Sequence, residues 1–349
     1  MPRRLWVAGA VVAVLALVAG GVLWWRGGDQ TSFAWAVGHA PEGTQRASWT
    51  DWAAVRRHEG VDLSAPSSVA DLRHFLNRAF DDDLSSTSVL VASAPVLQQR
   101  FGFSPADADW ELYSQSDQGA VVMVHLPADD LAGVGDHLQE LGYTEPQDPA
   151  GIWEGGSDLV AEISPALTPE LSYVALDTHD SLLLASDTSP FLSVAMNAVS
   201  GDGTRVSGLD AVVGDAGEPL SSAVYPGDYA CGALAMAHAG ASDRAQAQRL
   251  LTAAGEVNPY SAFAMSDEPD GSVRVAFEFE SADDARTNAD TRATLARGPA
   301  PGQGGSFRER FTVDSVTASG ALVVMRLAPH KGAYVLSDLS TGPVLFASC

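Results

Sequence analysis

One lysine, Lys331, occurs among 349 residues, and cysteine appears only twice, at Cys231 and Cys349. Arginine therefore carries almost all the positive charge, and 44 acidic residues outweigh the 20 basic ones to give a formal net charge of −24. Such a surplus repels phosphate backbones and anionic headgroups, which excludes nucleic acid as a partner. The single lysine excludes an S-x-x-K pair, and no H-E-x-x-H, paired C-x-x-C, P-loop or G-x-S-x-G elbow occurs. No cofactor and no metal set is expected from motifs, and no catalytic residue can be assigned. With no cysteine before Cys231, a bacterial lipobox has nothing to acylate. Tryptophan stops at Trp153, so the proximal and distal parts do not share that core chemistry.

What is present begins with an uninterrupted apolar run from Leu5 to Trp25. About 20 such residues cross a hydrocarbon layer about 30 Å thick. Arg3 and Arg4 precede the run and only Arg26 follows it, so the positive-inside bias puts the amino terminus in the cytoplasm and everything beyond Gly27 outside. Trp6, Trp24 and Trp25 stand at the two ends, where indoles favour the headgroup layer. The competing reading is a signal peptide cleaved near Gly20, but the apolar run continues past that point. The expected location is the cell membrane, single-pass, with the ectodomain outside.

An oxidising exterior makes the cysteine pair legible: two thiols with none left over favour a Cys231–Cys349 disulfide. It closes a loop of about 120 residues, which loop entropy values at about 4–5 kcal/mol before native strain is subtracted. Two unrelated thiols, or an intermolecular bond through the terminal Cys349, are the alternatives.

The exported part is long enough for two ordinary domains or one large one. Phe33, Trp35 and Val37 alternate as in a strand, and Pro41 to Gly43 mark a turn. Thr50 then reads as the N-cap of a short helix that carries both Trp49 and Trp52 near its start. Ser68 and Asp71 form a capping box ahead of an apolar face at Val69, Leu72, Phe75, Leu76 and Phe80. Pro95 and Gly102 bracket a third short helix. From residue 106 onward the pattern is strand, strand, helix, repeated. One hairpin turns near Asp117 to Gly119, a second within "LDTHDS" and a third at Asp270 and Gly271, each followed by a helix. Between Gly208 and Gly227 neither period persists, which places a boundary near Ser222. Distal strands are expected over "CGALAMAHA", Phe307 to Val316, Ala321 to Leu327 and Pro343 to Ala347, so the disulfide would join neighbouring strands. The division is residues 1–28, stub and anchor; 29–105, helical; 106–221, a proximal α+β unit; and 222–349, a distal α+β unit closed by the disulfide. The fold class is α+β: a two-layer ectodomain with antiparallel sheets covered on one face.

Weak constellations have plain structural explanations. Asp177, His179 and Asp180 in "LDTHDS" combine an imidazole with two carboxylates, but sit where a polar hairpin turn belongs. Asp81, Asp82 and Asp83 lack the spacing of a calcium loop, and Asp202 sits in a glycine turn. His125 and His238 fall in strand patterns and His330 in a loop, with no nucleophile beside them. Trp49 and Trp52 could grip a ligand, although core packing accounts for them.

The stretch "SWTDWAAVRRHEG", soon after a single amino-terminal span, resembles one in uncharacterised membrane-anchored actinobacterial envelope proteins; the arginine-for-lysine bias fits a GC-rich genome. The resemblance implies an exported, single-pass topology and no catalytic residues. The resulting expectation is a non-catalytic binding or structural module of the cell envelope, touching the membrane through its amino-terminal helix and meeting an envelope protein, cell-wall or lipid partner. A carrier of an apolar ligand such as a lipid, and an exported hydrolase with an unfamiliar site, are the alternatives.

Overall fold

A computed structural model describes residues 30–349; the apolar run, with Trp6, Trp24 and Trp25, lies outside the described residues. Among the described residues no helix is long and apolar enough to cross a membrane. The fold is α+β, with eleven strands in one antiparallel sheet in the order β10-β11-β9-β8-β7-β1-β2-β3-β6-β5-β4.

The proximal half runs α1 (Ser32–Gly38), β1 (Arg46–Thr50), α2 (Trp52–His58), α3 (Val69–Asp81), α4 (Ala94–Val96), β2 (Trp110–Gln115), β3 (Ala120–His125), α5 (Ala128–Leu141), β4 (Ile152–Glu154), α6 (Gly156–Ile163), β5 (Tyr173–Asp177), β6 (Leu182–Ser186) and α7 (Ser189–Ser200). After α8 (Asp210–Ala216) the distal half runs β7 (Ser221–Pro226), α9 (Gly227–Ala233), α10 (Ala241–Ala254), β8 (Ala262–Asp267), β9 (Val273–Glu278), α11 (Ala282–Ala296), β10 (Phe311–Ser319), β11 (Leu322–Pro329) and α12 (Val335–Ser340). The two series match. Apart from α1 and the edge strand β4, each has a strand followed directly by a helix, then a hairpin and a long helix, and a second hairpin laid down in reverse order. The opening strands β1 and β7 pair antiparallel at the centre, so the halves are related by an approximate two-fold across that seam.

Strand alternation divides the side chains between two faces. Val122 and Val124 of β3, with Phe263 and Met265 of β8, point to one face, where two apolar clusters gather beneath the helices of each half. Trp49, Leu112, Met123, Val224 and Ala264 point to the other, into a third cluster under α1, α7 and α8. The sheet is thus covered on both faces, not one, because its central strands are apolar on both sides.

Local signals placed most helices. The Ser68 hydroxyl accepts from the Asp71 N–H at 3.1 Å, as the capping box requires. Gly102 and Gly142 end their helices in the left-handed region.

Four further expectations fail. Phe33, Trp35 and Val37 lie on α1, whose buried residues Phe33, Ala36 and Val37 satisfy a helical period that short alternation had hidden. Trp49 lies in β1 and Asp51, not Thr50, caps α2 through the Ala54 N–H at 2.7 Å. Residues 208–227, where neither period was expected, hold α8 and β7. "CGALAMAHA" begins inside α9, and residues 345–347 form a 3₁₀ turn, so the Cys231–Cys349 disulfide, with α-carbons 5.8 Å apart, joins a helix to the carboxy-terminal tail instead of two strands.

Candidate functional site

At one end of the sheet the last residues of β1 and β3 meet the first residue of β2. Trp110 pairs in register with His125, and the Asp109 N–H donates to the His125 carbonyl at 2.9 Å. Two backbone bonds brace the neighbouring loop: the Asp51 N–H donates to the Leu220 carbonyl and the Ala53 N–H to that of Asp109, both at 2.9 Å. Three tryptophans converge here. The Trp110 ring stacks on Trp49 at 5.3 Å and on His125 at 5.5 Å, and Trp35, brought by α1, lies 6.1 Å away. Trp49 is held by its own indole N–H, which donates to the Pro219 carbonyl at 3.1 Å.

These rings form one wall of a cavity of about 470 Å³. The opposite rim is polar: Asp51, Asp109, Asp180 and Glu218 set four carboxylates against the single guanidinium of Arg57. His125 Nδ1 lies 2.9 Å from Asp109 Oδ2, and both side chains remain partly exposed, at 31% and 43%. The carboxylate fixes the imidazole's orientation, as an orienting acid does for a general base. Among the described lining residues the one hydroxyl is that of Ser32. Burial pushes the Asp51 carboxyl above its ordinary value, against the Ala54 bond and the Arg57 charge; Glu218 adds to the rise. Burial also lowers the nearby His39 imidazole, whose ring stacks on Trp35 at 4.1 Å.

The "LDTHDS" residues form the turn expected of them. Asp177 Oδ1 accepts from the N–H groups of His179 and Asp180 at 2.9 and 3.3 Å, and His179 Nδ1 lies 2.9 Å from Asp180 Oδ1. The trio is then divided. Asp180 faces the tryptophan cavity, while Asp177 and His179 line a second cavity of about 730 Å³ at the β4–β5 edge, with apolar walls from Leu131, Trp153, Leu184 and Met196. His330 and Asp81 to Asp83 border a third, acidic cavity of about 260 Å³. Asp83 is largely buried there. Burial pushes its carboxyl up to about 6, although the Ser337 and Leu336 N–H groups pull it down.

The Asp109–His125 pair went unrecognised from sequence, yet a signal existed. A hairpin centred between Asp117 and Gln118 pairs Trp110 with His125, so the turn already dictated their meeting. Nothing local announced that β1 would deliver Trp49 and Asp51 to the same place.

No family model and no curated protein matches the sequence. Among solved structures, crystal form III of TP0453 aligns over 86% of this chain and 97% of its own, at 7% identity and a TM-score of 0.42, a likeness too low to carry an argument.

Proposed function

We propose that the chain is a non-catalytic binding module of the cell envelope, tethered by the apolar run Leu5 to Trp25, whose ligand seats between the tryptophans and carboxylates at the end of β1, β2 and β3. The arginines before the run support the orientation, and the disulfide fits an oxidising exterior. The chain is acidic everywhere, so charge alone does not single out this cavity. The observation that carries the reading is the conjunction: three indoles, four carboxylates and one guanidinium line a single cavity. Indole faces attract cations, and desolvation strengthens the attraction. Carboxylates add charge-assisted hydrogen bonds to an N–H donor. The ligand class is a small molecule with an ammonium group and an apolar ring or methyl surface.

Tryptophan fluorescence and calorimetry on the full chain in detergent test this, with choline and glucosamine as probes, and glucose and acetate as neutral and anionic controls. Saturable binding of an ammonium probe, weakened at least tenfold by Asp109→Asn and by Trp35→Ala, is the expected result. Equal binding of glucose, or no saturation by any probe, overturns it. Covalent labelling of Ser32 by a serine-directed phosphonate would turn the His125–Asp109 pair into an active site and restore the hydrolase reading. The topology has its own test: protease added to intact cells digests the ectodomain, and protection of that domain until lysis removes the tether.

A second reading rests on the β4–β5 cavity, which is larger and more apolar than the first and suits an acyl chain or similar ligand. Lipid co-purifying with the full chain, and lost on Met196→Asp, would favour it.

A further inference from the structure

Two helices end at the same point. His58 is the last residue of α2 and Glu59 its C-cap, while Asp82 is the C-cap of α3. One ligand atom from each of the three lies within 4.8 Å of the other two. Helix carboxyl ends carry partial negative charge, so both carboxylates stand at the unfavourable pole of a dipole as well as beside each other. One cation answers them. Arg78 lies 2.8 Å from Glu59 Oε2 and also donates to the Glu59 carbonyl. That leaves Glu59 Oε1 buried, on a side chain 2% exposed, with no hydrogen-bond partner among the described residues. A buried carboxylate oxygen without a donor bears its full desolvation penalty, so this one calls for either a positive partner or a proton shared with Asp82.

We infer that His58, Glu59 and Asp82 form a divalent-cation site, separate from the tryptophan cavity and independent of the reading given to it. An imidazole nitrogen with two carboxylate oxygens suits a first-row ion such as Zn²⁺ better than Ca²⁺, which prefers an all-oxygen shell. Ligand bonds of about 2.0–2.2 Å put neighbouring donor atoms about 3–4 Å apart, a contraction that side-chain rotation supplies. His58 and Asp82 are exposed, so water can complete the shell from the solvent side. The ion would staple the end of α2 to the end of α3 and balance the charge that Arg78 leaves over.

The experiment uses the full chain in detergent, stripped with chelator and titrated calorimetrically with ZnCl₂, MnCl₂ and CaCl₂. One equivalent of Zn²⁺ is expected to bind at least tenfold more tightly than Ca²⁺. His58→Ala and Asp82→Asn, at exposed positions where folding is not at stake, each weaken it at least tenfold. Co²⁺ substitution then gives a visible ligand-field spectrum that His58→Ala abolishes. Zn²⁺ binding unchanged in both variants, or Ca²⁺ binding as tightly as Zn²⁺, overturns the assignment. So does an absence of binding with Asp82→Asn raising the melting temperature at pH 7, which would mean that Glu59 and Asp82 share a proton instead.

Discussion

Among the described residues each half of the molecule holds a long ionisable side chain at 0% exposure, Glu111 and Arg292, and the two are handled in opposite ways. In the proximal half Glu111 on β2 is 0% exposed and accepts from the Trp52 indole N–H at 3.0 Å, the Ser88 hydroxyl at 2.6 Å and the Val89 N–H at 2.8 Å. In the distal half Arg292 on α11 is likewise 0% exposed and donates to the carbonyls of Phe346, Ser348 and Asn258 at 2.6–2.9 Å. The rings of Tyr260, Phe277 and Phe279 surround its guanidinium at 4.7–5.3 Å. Both residues tie a remote segment to the core: Glu111 the loop around residue 88, Arg292 the carboxy-terminal tail. They differ in what protons can do to them. Burial pushes the Glu111 carboxyl up to about 7, so it titrates near neutrality, whereas burial brings Arg292 down only to about 10 and it stays charged. The distal clamp is permanent and the proximal one is adjustable by pH.

The largest effect expected from breaking this contrast is at Arg292. Arg292→Ala removes the donor from three carbonyls and empties the ring cage, and should cost about 3–5 kcal/mol in urea unfolding. A loss below about 1 kcal/mol would show that the tail is held by packing alone.

Cys349→Ser comes next. It should lower stability by about 2–4 kcal/mol and speed amide exchange at residues 344–348 while leaving β1 to β3 protected. Equal acceleration in both halves would erase the distinction between them.

Comparable in size at most is the pH dependence of the proximal half. The folded form of Glu111 holds its proton more tightly than the unfolded chain, whose ordinary value is 4.5. Its contribution is therefore fully present below about 4.5 and is lost as pH rises through about 7, at no more than about 1.4 kcal/mol per pH unit. Asp107, pushed up to about 7 by burial, acts in the same direction. Glu111→Gln should flatten the profile measured between pH 5 and 8, and an unchanged slope would point to Asp107 or Asp83 instead.

The smallest effect is expected at Asp109. It is 43% exposed, so Asp109→Asn should shift stability by less than about 0.5 kcal/mol while weakening the ammonium probe. A large loss of stability would recast the pair with His125 as a structural brace.

The hairpins were readable because a turn with Asp270 and Gly271, or one centred at Asp117, brings together residues only a few positions apart. Helix stops at Gly102 and Gly142 were readable for the same reason: the left-handed backbone there is a local demand that glycine meets at no steric cost. The middle of the sheet was not. "RASWT" is five residues long and runs straight into the Asp51 cap, so its tryptophan passed for part of a helix until pairing with β2 and β7 made it a central strand. "SSAVYP" was missed likewise, its strand character supplied by β1 and β8 on either side. "CGALAMAHA" failed in the opposite direction: its first three residues close α9 and Met236–His238 form a 3₁₀ turn.

By itself the sequence determined composition and charge, favoured the one intramolecular pairing that two cysteines allow, and set most turns and caps whose partners lie within about four residues, since those last interactions act within one helical turn or one hairpin. Tertiary structure alone decided that the two halves share one sheet, that both of its faces are covered, and that Trp49, Trp110 and His125 meet at its end. Those outcomes depend on which strands lie side by side, and hydrogen-bond partners more than 100 residues apart, as across the β1–β7 seam, leave no mark on either strand alone.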